Sequence, residues 1–278
     1  MKYRLLFLDL DGTLVGSKDV LSERTVRALN RAREAGCELV ICTGRNRYTV
    51  EAIARQWPGH AYAILSNGAV VAEWESGRIL HRFPVPSELV RQAVRMARPY
   101  RVATLCFGVY DREDGGRRVV ADAAFPLFET YASVNATRIE PRPNLLEEGC
   151  DPTSIGSFGP RDVLIPLADV WQKAFGDQAH VFNAADLRYG DWSLFATAST
   201  VSKARGATIV AELLNVPREE TLAIGDHLND LDLLAWAGLG VCMGDGHPTV
   251  IAAADYVTGA FDEDGAATAI ERLVLGEA

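Results

Sequence analysis

Four short stretches carry residue types that could do chemistry together. Asp9 and Asp11 close an apolar run in "FLDLDGTL" (7 to 14), and Thr43 precedes Gly44 and Arg45 in "CTGR" (42 to 45). Lys203 opens a helical pattern in "STVSKARG", and "IGDHLNDLDLL" (224 to 234) places Asp226, Asn229, Asp230 and Asp232 within seven residues. Two carboxylates as close as Asp9 and Asp11 repel unless a cation or a shared proton comes between them. Mg²⁺, a hard ion that prefers oxygen ligands, is the obvious cation. Asp226 and Asp230 are four apart and can face one site, whereas Asp232 is expected to point elsewhere. The first three also have a plain alternative: an Asp-Gly turn, a Thr-Gly strand end, a solvated lysine at a frayed helix start.

The elements that must position these residues follow from the hydrophobic pattern. Residues 3 to 10 read as a continuous apolar strand. Residues 22 to 36 carry a helical period with Ser22 as N-cap and Gly36 as stop. A strand over 37 to 45, a helix over 47 to 57 and a strand over 62 to 71 that breaks at Asn67-Gly68 come next. The pattern resumes with a helix over 202 to 214, a strand over 221 to 226, a helix over 229 to 237 and short strands at 240 to 243 and 255 to 258. Strands without polar alternation, each followed by a helix, imply a parallel sheet covered on both faces. Asp9, Asp11, Thr43 and Asp226 all fall at the carboxyl ends of its strands, where such sheets bind ligands.

The middle of the chain has a different texture. A helix over 86 to 98, a strand "RVATLCFGV", a "DGG" turn at 114 to 116, a strand "RRVVAD", a long helix over 161 to 175, and then "HVFNA" and "SLFAT" suggest a mixed insert with hairpin pairing. The expected organisation is an α/β core with a Rossmann-like parallel sheet over 1–81 and 190–278, interrupted by an α+β domain over 82–189.

"FLDLDGTL" resembles the first motif of the haloacid dehalogenase superfamily, and "CTGR", "VSK" and "GDHLND" are similar to its later motifs in the same order. The resemblance implies a phosphotransfer site in which Asp9 is the nucleophile, Asp11 the proton donor and acceptor, and Thr13 a residue that fixes the loop. It further implies that Thr43 hydrogen-bonds the phosphate and that Lys203 bridges nucleophile and phosphate. Mg²⁺ would be held by the carboxylates of Asp9 and Asp226 and the backbone carbonyl of Asp11, with Asn229 and Asp230 orienting it and its waters. His227 has no required task beside an aspartate nucleophile and is expected to be a surface or supporting residue.

The insert lies between the Thr43 and Lys203 motifs, the position of the large α+β cap in the Cof-like subfamily. "SNGA" (66 to 69), "MGDG" (243 to 246), "ADYVT" (254 to 258) and "DEDGAA" (262 to 267) are similar to further elements of that branch. The departure is Asp245, where the subfamily usually has Asn. Substrate contacts are expected from Gly44, Arg45, Arg47, Asn67 and Gly68 on core loops, and from Asn183, Asp186 and Arg188 on the return from the cap. The implied activity is an Mg²⁺-dependent phosphatase for a small phosphorylated metabolite such as a sugar phosphate. Its alternatives are a phosphomannomutase-like mutase and a non-catalytic sugar-phosphate-binding protein.

Composition narrows the partners. Thirty-seven acidic against 28 basic residues among 278 leave a net charge of −9, so there is no basic field for nucleic acid or an anionic membrane surface. The five cysteines are scattered, which fits buried thiols in a reducing compartment. No stretch reaches membrane-spanning length, and the opening "LLFL" is too short for a signal-peptide core. A cytoplasmic monomer or homodimer is expected.

Overall fold

The computed structural model describes residues 2–57, 59–109, 118–186 and 191–277. Its chain divides into two units, one formed by Met1–Arg82 with Ser202–Ala278 and the other by Phe83–Val201.

In the first unit the apolar run Leu5–Leu8 forms β1, with all four residues buried. Then come α1 (Glu23–Glu34), β2 (Glu38–Cys42), α2 (Arg47–Ala54), β3 (Tyr62–Leu65), β4 (Val70–Glu73) and β5 (Ile79–Arg82). After the insert the unit continues with α7 (Lys203–Leu213), β12 (Thr221–Gly225), α8 (Leu231–Trp236), β13 (Leu239–Cys242), α9 (Pro248–Ala253) and β14 (Tyr256–Val257). The strands form one sheet in the order β14-β13-β12-β1-β2-β3-β4-β5. β1 lies between β12 and β2, both parallel to it, with Leu8 opposite Ile224 and Ile41. That register brings the ends of three strands, and the loops that follow them, to the same edge. Ser22 caps α1 as expected, its side chain accepting from the Thr25 amide. Phe7, Val40, Ile64, Ala207 and Leu233 share one core cluster, and the Trp236 ring meets the Phe7 ring edge-on at 5.6 Å.

The sheet is not parallel throughout. The apolar stretch 62 to 71 splits into β3 and β4, which pair antiparallel, and β5 continues antiparallel from β4. The reversal is made by Ser66, Asn67 and Gly68, all at positive φ. Asn and Gly tolerate this region best, which is why a break expected at Asn67-Gly68 becomes a full reversal of direction.

The second unit contains α3 (Ser87–Ala97), β6 (Leu105–Phe107), β7 (Val119–Asp122), α4 (Glu129–Asn135), β8 (Ile139–Arg142), α5 (Leu145–Glu148), β9 (Ser154–Gly159), α6 (Arg161–Phe175), β10 (Ala179–Asp186) and β11 (Asp191–Ala198). Its sheet has the order β10-β11-β9-β6-β7-β8. Val90 and Val94 of α3 and Leu164, Leu167 and Trp171 of α6 pack with Cys106, Val120, Ile155 and Leu194 from the strands. A second cluster contains Leu105, Tyr131 and Phe158, with Phe195 packed against it. The sequence pattern missed α4, β8, α5 and β9. β9 reads "SIGSFG", and its serines and glycines obscure the alternation a strand would show. Residues 191–201 belong to this unit and not to the core as expected, because β11 pairs along β10 and β9 and the chain returns only at Ser202. The "DGG" turn lies outside the described residues. Among those described, no helix is long and apolar enough to cross a membrane.

The backbone around Gly68 admits no side chain. Its φ is +101°, and a Cβ there would lie 2.0 Å from the carbonyl oxygen of Ser202, the cap of the helix that carries Lys203. Gly68→Ala should therefore destabilise the protein by about 2 kcal/mol or more. Urea unfolding would read this as a lower midpoint at unchanged slope; an unchanged midpoint would refute the packing described.

Candidate active site

Each functional side chain is delivered by a strand end or a helix start. Asp9 follows β1, and its backbone N–H still donates to the Ile224 carbonyl at 3.0 Å, extending the β1–β12 ladder by one residue. The chain then tightens: the N–H groups of Thr13, Leu14 and Val15 all donate to the Leu10 carbonyl, at 3.2, 2.9 and 2.8 Å. Gly12 sits at φ +81° inside this turn, where a Cβ would lie 2.4 Å from Asp226 Oδ2. A glycine there lets the loop close onto the Asp226 carboxylate, which accepts the Thr13 hydroxyl at 3.2 Å. Thr13 thus ties the first loop to the loop after β12.

Lys203 is the first residue of α7 and its side chain is fully buried. Its Nζ donates to Asp9 Oδ1 and to Asp230 Oδ1, both at 2.5 Å. A cation at a helix N-terminus works against the macrodipole, so its place depends on nearby anions. Asp232 adds to them, its Oδ2 accepting from the Ala204 N–H at 3.2 Å, while the Ser202 hydroxyl caps the same turn by accepting from Arg205 N–H at 3.1 Å. As expected, Asp232 points away from the site that Asp226 and Asp230 share, and there it holds the helix start that aims Lys203. The other oxygen of Asp230, Oδ2, accepts from the N–H groups of Asp226 and His227 at 3.2 and 3.1 Å, shaping the loop around Asp226.

Asp9, Asp226 and Asp230 each offer an oxygen to one group of atoms within 4.8 Å of one another. Burial, followed by the charges of Asp230 and Asp226, raises the Asp9 carboxyl well above its ordinary range even against the pull of Lys203. Burial and the Asp230 charge push Asp226 up to about 6. Burial opposes the Lys203 charge, but the two aspartates outweigh it and the ammonium is held more firmly than in water. Three carboxylates around one ammonium leave an excess of negative charge in a buried space. A divalent cation with oxygen preference fits that donor set, which is hard, anionic and partly dehydrated.

Thr43 is fully buried at the end of β2. Its hydroxyl accepts from the Arg45 N–H at 3.1 Å, and its carbonyl accepts from the Asn67 N–H at 3.0 Å. The Asn67 side-chain oxygen accepts from Asn229 Nδ2 at 3.0 Å and lies 3.0 Å from where a Gly44 Cβ would stand. Thr43, Gly44, Asn67, Gly68 and Asn229 are thus linked from the β2, β3 and β12 loops to the loops bearing the carboxylates.

Other expected site residues lie elsewhere. The Asp11 side chain stays outside the carboxylate group and grips Arg45. Arg47 does not turn toward the carboxylates: its Nη2 donates to the Trp74 carbonyl at 2.6 Å and its guanidinium stacks on the Trp74 ring at 4.8 Å. Asn183 is on β10 of the second unit, its Oδ1 accepting from Trp192 Nε1 at 3.0 Å. Arg188 and the side chain of Asp186 lie outside the described residues. His227 starts the short turn before α8, with its ring 5.7 Å from that of His247. The Asp245 side chain accepts from the Phe261 N–H at 3.1 Å.

A family model for haloacid dehalogenase-like hydrolases matches residues 6–270, and the chain belongs to that family. Among relatives, phosphatase YwpJ of Bacillus subtilis is 28% identical over 290 residues, covering 98% of this chain and 100% of its own. Pyridoxal phosphate phosphatase YbhA of Escherichia coli is 27% identical over 267 residues, covering 93% and 94%. A haloacid dehalogenase-like hydrolase from Bacteroides thetaiotaomicron, known from a crystal structure, is 30% identical, with a TM-score of 0.80 over 98% of this chain and 100% of that one.

Two outcomes follow from the buried charges. Lys203→Met leaves Asp9 and Asp230 buried without their cation, and in EDTA at pH 8 it should cost about 3–5 kcal/mol of unfolding free energy. A loss below about 1 kcal/mol would show that the pair is not buried as described. Asp226, with a folded value of about 6 against 3.8 as an ordinary carboxyl, holds its proton more tightly when folded. Its stabilising contribution is therefore present below about pH 4 and is lost as pH rises to 6, over which range a cation can increasingly take the proton's place. Divalent-cation affinity by titration calorimetry should weaken by roughly tenfold per pH unit below about 6. An affinity flat down to pH 5 would contradict the assignment.

Proposed function

We propose that this chain is an Mg²⁺-dependent phosphatase that hydrolyses a small phosphorylated metabolite, a sugar phosphate being the favoured class, through a phosphorylated Asp9. The observation that carries this reading is the buried triad of Asp9, Lys203 and Asp230 beside Asp226. There one carboxylate, read as the nucleophile, lies against one fixed ammonium, in a cluster whose remaining negative charge calls for a cation. The names of YwpJ and YbhA support a phosphatase acting on a small phosphate ester.

In this reading Asp9, Asp226 and the backbone carbonyl of Asp11 hold Mg²⁺, with Asn229 and Asp230 shaping its surroundings. When bound, the ion screens the repulsion between the Asp9 carboxylate and the phosphate dianion. An Asp9 oxygen attacks phosphorus in line and the bond to the ester oxygen breaks. Asp11 gives a proton to that oxygen, then as a carboxylate takes a proton from the water that attacks the aspartyl phosphate, releasing inorganic phosphate. Lys203 and the Thr43 hydroxyl, whose proton is not used by its Arg45 contact, hold the phosphate oxygens. Gly44, Asn67 and Gly68 form the adjoining loop surface.

A panel of phosphorylated metabolites assayed for inorganic phosphate in Mg²⁺ tests the reading. At least one member should turn over, and Asp9→Asn should lower kcat by about a thousandfold or more. EDTA should abolish turnover and added Mg²⁺ restore it. Hydrolysis that survives Asp9→Asn, or isomerisation of a sugar phosphate without phosphate release, would overturn it.

A further inference from the structure

Asp9 and Asp11 leave the same turn for opposite environments. The Asp9 side chain is 5% exposed and that of Asp11 is 55% exposed. What holds Asp11 is Arg45, whose side chain is 12% exposed and which meets it through two nitrogens: Nε to Oδ1 and Oδ2 at 3.1 and 2.9 Å, and Nη2 to Oδ1 at 2.5 Å. The same Nη2 donates to Asp19 Oδ1 at 2.5 Å. Asp19 sits at φ +55°, a conformation a non-glycine residue adopts only where its surroundings impose it. Gln56 imposes it here: its Nε2 donates to the Asp19 carbonyl at 2.7 Å, and its Oε1 accepts from the Leu21 N–H at 3.1 Å. The chain from 16 to 21 is thereby fixed with one carboxylate aimed at a guanidinium that is already committed to another.

We propose that Asp19 is a positioning residue. Through Arg45 it keeps the Asp11 carboxylate out of the Asp9–Asp226–Asp230 cluster and in place to exchange protons with the leaving oxygen and the attacking water. The need for such a device is electrostatic. A divalent cation in the cluster attracts every nearby carboxylate, and an Asp11 drawn onto it as a side-chain ligand would be useless for proton transfer. Arg45 competes for that carboxylate with a rigid fork matched to it. Alone, Arg45 could turn toward a phosphate, for which its geometry is equally suited, and Asp19 supplies the counter-charge that keeps it from doing so. The inference rests on the phosphatase reading above. It revises the expected role of Arg45 from substrate binding to holding Asp11. The rival role has its own support: Nη1 of Arg45 is buried with no hydrogen-bond partner among the described residues.

The test compares Asp19→Asn, Asp19→Gly and Asp19→Glu with the wild-type protein and with Asp11→Asn, at saturating Mg²⁺. Asn keeps the side chain's shape and Gly suits the positive φ, so loss of fold would not mask the result. One substrate is an alkyl phosphate from the panel, whose alkoxide needs a proton to leave; the other is p-nitrophenyl phosphate, whose phenolate does not. Asp19→Asn and Asp19→Gly should lower kcat on the alkyl ester by about tenfold or more with KM within about twofold. The rapid first release of nitrophenol should stay within about twofold of wild type, Asp19→Glu should recover part of the loss, and neither variant should add to the deficit of Asp11→Asn. A raised KM at unchanged kcat would assign Arg45 to the substrate and overturn the proposal. Equal losses on both substrates, or additivity with Asp11→Asn, would overturn it as well. Absence of any wild-type turnover would instead strike at the phosphatase reading, while wild-type turnover indifferent to Asp19 would strike at this inference alone.

Discussion

The structure of this site depends on a lysine ammonium buried between two carboxylates. Taken from water alone, a lysine at the Lys203 position would give up its proton. With Nζ 2.5 Å from both Asp9 and Asp230, which lie 194 and 27 residues away in sequence, it keeps its charge. An ion pair of this kind is weak evidence of net stability, because dehydrating the charges offsets most of their attraction. Its worth is geometric. It fixes the start of α7 against the ends of β1 and β12, and it leaves one carboxylate more than one ammonium can neutralise. The elements that meet there serve that arrangement: the β12-β1-β2 register aligns the strand ends, Asp232 and Ser202 hold the first turn of α7, and Asp230 shapes the loop that presents Asp226.

The parts of the site legible in the sequence are those whose chemistry is written in contiguous residues. A buried strand that ends on Asp9, a Thr-Gly after a second strand, and the acidic run from Asp226 to Asp230 each show a change of polarity at an element boundary, and parallel topology converts boundaries into one edge. Lys203 was legible as a residue and not as an environment, since nothing local distinguishes a solvated lysine from one buried against Asp9. Asp232 was legible as facing away from that site, but its task there was not. Helical spacing sets it apart from Asp230, but its partner, the Ala204 N–H, belongs to another helix.

The arginines mark where such reasoning stops. Arg45 and Arg47 are two apart, one in the loop after β2 and the other at the start of α2, and are equally suited to an anion. One engages Asp11 and Asp19; the other caps carbonyls at the β4–β5 turn and stacks on Trp74. The difference lies in which neighbours the fold supplies, and Trp74 comes from a turn that exists only because residues 66 to 68 reverse the chain. The extent of the insert was missed on similar grounds. Apolar continuity locates strands such as β11 but does not say which sheet will claim them; pairing with β9 and β10 decides that.

The separation of Asp9 from Asp11 follows from the turn itself. Side chains two apart on a continuing strand share a face, and both carboxylates would then crowd the same buried space beside Lys203, Asp226 and Asp230. Three N–H groups converging on the Leu10 carbonyl end the strand after Asp9, and Gly12 carries the backbone past the Asp226 carboxylate at a φ few other residues accept. Asp9 remains on the strand side of that turn and is dehydrated; Asp11 lies within it and keeps access to water. In the proposed reaction those environments suit opposite needs. A nucleophile gains from losing water and being fixed, whereas a group that must both give and accept a proton within one cycle has to remain in contact with the solvent it exchanges with.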